Sequence, residues 1–136
     1  MFHLIKILNG RIGVPEPERI PLSSAVTVEY GTPVLIKGGT LTKIDASATA
    51  LPSHLILADA KDAREVLASP ITPEMVFEVP VNALPTAMTV GSEYLLSADG
   101  KTVSATAVSS GKRGATLVSM AGAHLAGDNL LVAFRN

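Results

Sequence analysis

The side chains able to do chemistry in this chain are few and scattered. Its three histidines, His3, His54 and His124, carry no zinc-site spacing. The carboxylates that fall close together, Glu16/Glu18, Asp59/Asp62 and Glu74/Glu78, lie among prolines and lysines and read as solvated rather than as acid–base pairs. Ser109-Ser110-Gly111 lacks the G-x-S-x-G arrangement of a nucleophile elbow. Gly111-Lys112-Arg113-Gly114 has Thr106 where a phosphate loop needs a glycine. Lys112 and Arg113 therefore read as the basic tip of a hairpin, suited to an acidic patch on a partner. What chemistry remains is a dispersed hydrolase pocket that would have to unite His54 or His124 with Asp59 or Asp128.

Composition narrows the classes further. The chain has 136 residues, enough for one domain, and no cysteine, which excludes disulfides, thiolate metal sites and cysteine catalysis. Hydrophobic residues make up 47% against 17% charged, the opposite of a disordered chain. So few charges favour burial of outer surface in an assembly. A net charge of −1 gives no electrostatic footprint for nucleic acid. No apolar run approaches the roughly 20 residues that span a bilayer, and Lys6 interrupts the apolar start, so neither a membrane segment nor an export signal is expected.

The elements that would position these groups are strands. Residues 1–8 read as a strand or an adhesive arm, and Pro15, Pro17 and Pro21 hold the next stretch extended. Val26, Val28 and Tyr30 alternate with polar residues, and Val34-Leu35-Ile36 leads into a Gly38-Gly39 hairpin answered by Leu41–Ile44. Leu55–Ala58, Phe77–Val81 and Leu130–Phe134 are further strands, with Pro80 expected to mark an edge. Residues 63–69 fit one helical turn or a strand, and Thr72-Pro73-Glu74-Met75 has the form of a helix N-cap with room for a single turn.

An internal repeat organises these pieces. Gly31-Thr32-Pro33-Val34-Leu35-Ile36 with its glycine hairpin recurs 60 residues later as Gly91-Ser92-Glu93-Tyr94-Leu95-Leu96 with Asp99-Gly100. Leu41–Ile44 then answers Thr102–Ala105, and Leu55–Leu57 answers Thr116–Val118. The expected fold is all-β with one or two short helical turns. It would be a compact β-barrel or sandwich built from two similar hairpin units. An N-terminal strand and extended Pro-rich arm (1–24) would precede a single β-rich domain (25–136).

This order of parts, from the arm Val14-Pro15-Glu16-Pro17 through the two glycine hairpins and Ile71-Thr72-Pro73-Glu74-Met75-Val76-Phe77, resembles the small head decoration, or cement, proteins of tailed bacteriophages. The resemblance covers about residues 2 to 134. It implies a structural virion protein, made in the host cytoplasm, that binds the outer surface of an expanded capsid and bridges subunits of the major capsid protein. It further implies homotrimers at three-fold and quasi-three-fold positions, and no catalytic residue, cofactor or metal. Contact residues are then expected in the arm, at Phe2, Leu4, Ile5, Ile7, Val14, Pro15, Pro17 and Ile20, and secondarily at Lys112 and Arg113. The other class the residues allow is a small β-barrel adaptor or binding module, such as a phage neck or tail component.

Overall fold

The computed structural model describes residues 1–7 and 16–135. Among these residues the chain forms eleven strands and no helix. They are β1 (His3–Ile7), β2 (Glu18–Val28), β3 (Pro33–Lys37), β4 (Thr40–Lys43), β5 (His54–Ile56), β6 (Ala60–Pro70), β7 (Met75–Pro80), β8 (Glu93–Leu96), β9 (Val103–Ala107), β10 (Ala115–Ser119) and β11 (Asn129–Ala133). All strands pair antiparallel, in two sheets of order β2-β6-β5-β3-β4 and β1-β7-β11-β10-β8-β9.

The repeat seen in the sequence is a repeat of topology. If the five strands of each unit are numbered in chain order, both units lie in the order first, fifth, fourth, second, third, and β1 is an addition to the second unit. The matching extends to single bonds. Gly31 N–H donates to Ile56 O at 2.8 Å, and its counterpart Gly91 donates to Leu117 O at 2.8 Å. Ile56 N–H returns to Thr32 O at 3.0 Å, and Leu117 N–H to Ser92 O at 2.9 Å. Both glycines hold positive φ, 78° and 91°, which an L side chain rarely adopts.

Each unit also curls until its ends meet. In the first, Ser23 N–H in β2 donates to Gly39 O in the β3–β4 hairpin at 2.9 Å. In the second, Val81 beyond β7 bridges Val103 of β9, with Asn82 N–H to Val103 O at 2.9 Å. Closure of this kind hides sheet edges and encloses a small core. Val28, Val34, Ile56, Val66 and Ala68 fill the first barrel; Phe77, Val79, Leu96, Leu117, Leu130 and Val132 fill the second. Alternation along β5 divides its side chains, so that Ile56 joins the first core while Leu55 packs with the second.

The joint between the barrels is built around Phe2, which is fully buried. Its ring lies 6.3 Å from Phe77 and 5.4 Å from Phe134, so all three phenylalanines of the chain meet. Its N–H donates to Gly31 O in the first barrel at 3.0 Å. Ile44 of the first unit joins the same cluster, and Gly100 approaches the Ile44 carbonyl so closely that an added Cβ would lie 2.5 Å from it.

Several expectations are corrected. Of the two alternatives open for residues 63–69 the strand holds, within β6; Thr72–Met75, by contrast, form a turn, closed by Met75 N–H to Thr72 O, rather than a helical turn. The period-2 pattern Met75, Phe77, Val79 starts at once, and leaves no residues for a helix. Pro80 is not on an edge strand, because β7 lies between β1 and β11. It is tolerated because β1 pairs only with Met75–Glu78, so no partner strand needs its missing N–H on that side. Residue 24, where the expected arm ends, falls inside β2, whose residues 18–21 pair with Glu65–Ala68, so the last part of that arm is woven into the sheet.

Truncation of Phe2 tests the joint. Phe2→Ala is expected to cost about 3–5 kcal/mol, a large part of the ~5–15 kcal/mol typical of a domain, measured by denaturant unfolding. A loss below about 1 kcal/mol would mean that the ring joins nothing of consequence.

Candidate interaction surface

The residues expected to meet a partner are distributed unevenly. Phe2 is withdrawn from any contact surface, since the joint between the barrels consumes it. Ile20 is half-buried against the first core, opposite Val66. Ile7 pairs with Met75 at the end of β1, while Val14 and Pro15 lie outside the described residues. Leu4 and Pro17 come together on one groove of ≈ 200 Å³, lined also by His3, Tyr30, Leu55 and Ile71. Ile5 is 45% exposed on β1, the outermost strand of its sheet. Of the expected arm, then, Leu4, Ile5 and Pro17 are the described residues that reach a surface with apolar character.

The basic tip is engaged internally. Arg113 Nε and Nη2 donate to the Glu93 carboxylate at 3.0 and 3.2 Å, and Nη2 also reaches Arg135 O at 2.7 Å. The same carboxylate accepts Gly114 N–H at 2.6 Å, which places Glu93 under three donors. Gly114 packs against the backbone of Tyr94, leaving no space for a Cβ, so the turn and the ion pair are one assembly. Lys112 Nζ bonds Ser47 O at 3.2 Å and Arg113 N–H bonds Ala48 O at 2.9 Å. Both basic residues thus tie the second barrel to the loop after β4, and the expected acidic partner for Arg113 is the chain's own Glu93.

The proposed hydrolase partners meet only in part. His124 Nδ1 lies 3.5 Å from Asp128 Oδ2, a pair four residues apart whose spacing was open to reading in the sequence. That oxygen also accepts the N–H of His124 and of Leu125, both at 3.0 Å. These two backbone bonds hold the carboxyl below the usual carboxylate range. Asp59 stands at the matching position before β6 and likewise accepts a loop amide, that of Tyr30, at 2.7 Å. The two aspartates stand at matching positions but hold different loops: Asp59 ties the loop before β3, whereas Asp128 clamps its own loop before β11. His54 bonds Ser53 Oγ at 2.8 Å, and Ser53 Oγ in turn accepts Ile36 N–H at 2.9 Å. Burial pushes the His54 pKa down, with Glu18 acting weakly against it. No group of three or more His, Asp or Glu that could hold a metal occurs among the described residues.

A second set of exposed apolar residues escaped the sequence reading. Leu84, Val90 and Leu125 are 57%, 58% and 53% exposed in the loops before β8 and β11. The two loops adjoin, since Gly127 N–H donates to Val81 O at 2.7 Å and Val81 N–H to Asp128 O at 2.9 Å. The signal was present as a deficit: residues 75–92 and 114–134 contain no lysine or arginine, and their carboxylates are Glu78 and Asp128 alone. No principle of strand periodicity reads loops, so lone leucines there carried no weight.

Two measurements follow from these contacts. Arg113→Met should lower stability by about 1–3 kcal/mol through the stranded Glu93 carboxylate, and Arg113→Lys should not restore it, because one ammonium cannot make the forked pair. Equal stability of all three proteins in denaturant would show the fork to be idle. The Asp128 carboxyl has a lower pKa folded than unfolded, so its clamp is present above the ordinary range and is lost as pH falls through the depressed value. In an NMR titration the amides of His124 and Leu125 should shift together with a midpoint below about 3.9; a midpoint at or above that value would contradict the clamp. No protein-family model and no curated protein matches the chain.

Proposed function

We propose that the protein is a structural component of a virion, a decoration protein that binds the outer surface of an expanded phage capsid and stabilises it by bridging subunits of the major capsid protein. In this reading it is not an enzyme, takes no cofactor, and meets neither nucleic acid nor membrane; its partners are the capsid protein and copies of itself, as a homotrimer. The observation that carries the reading is the pairing of a tightly joined double barrel with large apolar side chains left exposed on its surface. Leu4, Ile5 and Pro17 lie on one side, and Leu84, Val90 and Leu125 on adjoining loops. Exposed apolar side chains gathered in this way belong to surfaces that become covered. An outer strand such as β1 can also gain main-chain hydrogen bonds from a neighbour's extended segment. Repetition of weak contacts over a shell adds affinity through effective concentration.

A second reading, a small β-barrel adaptor of a phage neck or tail, is favoured by the groove at Leu4, Pro17 and Tyr30, whose apolar lining suits an extended peptide.

Removal of residues 1–21 cannot separate binding from folding, since it deletes Phe2, β1 and the start of β2. A surface substitution does. The protein should co-sediment saturably with expanded shells and not with unexpanded ones. Ile5→Asp should keep the unfolding midpoint near that of the parent and weaken binding by roughly tenfold, or about 1.4 kcal/mol. Binding to neither shell would remove the capsid reading and favour the adaptor.

A further inference from the structure

The internal repeat leaves one interface half-used. Within the chain, the hairpin of the second barrel sits against the loops of the first: Lys101 of the β8–β9 hairpin pairs with Glu29, and Gly100 abuts the Ile44 carbonyl. Met1 and Phe2 seal this contact over Gly31, whose Cβ would meet Met1 Cγ. The matching loop of the second barrel is bare. Gly91, the counterpart of Gly31, has no atom within 4 Å of an added Cβ, and Val90, the counterpart of Tyr30, is among the most exposed large apolar residues. The matching hairpin of the first barrel is bare at its tip: Gly39 is held by Ser23, but Lys37, Gly38 and Thr40 are exposed, and a Cβ at Gly38 would meet nothing.

We propose that these two bare halves bind each other between copies. The β3–β4 hairpin of one molecule docks on the 81–92 and 120–128 loops of the next, repeating between chains the contact that joins the barrels within a chain. Charge supports this occupant over an unrelated partner. The loop face carries Asp128, with Glu78 of β7 lining the same hollow, and no lysine or arginine, whereas the hairpin carries exposed Lys37 and Lys43, so the two faces are complementary in sign. Leu84, Val90 and Leu125 supply the apolar area that the contact covers. The interface is heterologous, head to tail, and each docked copy presents a new bare loop face, so the assembly closes as a ring or grows as a filament. The inference stands on the repeat alone and does not require the capsid reading.

The absence of cysteine makes the test clean. Thr40 corresponds to the end of the β8–β9 hairpin, and Thr89 to Glu29, so Thr40→Cys and Thr89→Cys place one thiol on each half. Purified single variants, alone and mixed, are treated with a short bis-maleimide in solution without shells, with Arg64→Cys as an exposed control. A cross-linked dimer that forms in the Thr40→Cys plus Thr89→Cys mixture, is absent from either variant alone, and is lost when Lys37→Glu is added to the hairpin partner supports the proposal. Cross-linking of either variant with itself, which reports a two-fold contact, overturns it. So does equal labelling of the Arg64→Cys control, or no dimer at high concentration. Thermal unfolding of each variant shows that the parent fold is kept. Since no capsid is present, failure here leaves shell binding to be decided by sedimentation.

Discussion

The structure depends on the burial of one ring near the start of the chain. A chain with three phenylalanines and no tryptophan has little aromatic area to spend on its core. It places all three at one point, where Phe2, Phe77 and Phe134 bring together the beginning, middle and end of the sequence. Beside that cluster the barrels also meet through Ile44 and Leu55, which pack into the second core, and through contacts such as Arg113 N–H to Ala48 O and Gly100 on Ile44. Phe2 also explains why β1 is an extra strand on the second unit: the strand carries the ring to the joint and then pairs with β7.

Repetition accounts for the rest of the architecture. A five-stranded barrel of this size encloses few side chains, and the first one holds a core of valines, Ile56, Leu22 and Ala68. Two such barrels sharing a joint bury more apolar surface per residue than either does alone. The same economy governs polar groups. Asp59 and Asp128 each hold loop amides, Glu93 satisfies Arg113 and Gly114 together, and no buried side-chain nitrogen or oxygen among the described residues lacks a partner. Asp59, Asp128, Lys112 and Arg113, which first drew notice for chemistry, are spent on holding loops in place. That leaves apolar loop residues as the features whose cost the fold itself does not explain.

The sequence by itself determined the class of structure, the hairpins and the duplication. Period-2 alternation at Val26–Val28 and Phe77–Val81 and glycines at positions of positive φ are local requirements, and local requirements survive without knowledge of the fold. Gly31 and Gly91, matched in the sequence, make equivalent hydrogen bonds in the structure, because a strand–turn–strand unit repeats its backbone geometry with its sequence. Tertiary structure alone decided what each unit would do with its surface. Phe2 reads as an adhesive apolar residue until Phe77 and Phe134 are brought to it. Arg113 reads as a free cation until Glu93, 20 residues distant, is folded beneath it. Leu84, Val90 and Leu125 are unremarkable in the sequence, and their exposure on two loops that meet at Val81 and Asp128 is decided by the fold. Burial and ion pairing depend on residues remote in sequence, and a chain read in order contains the spacing of its neighbours but not the distance to its partners.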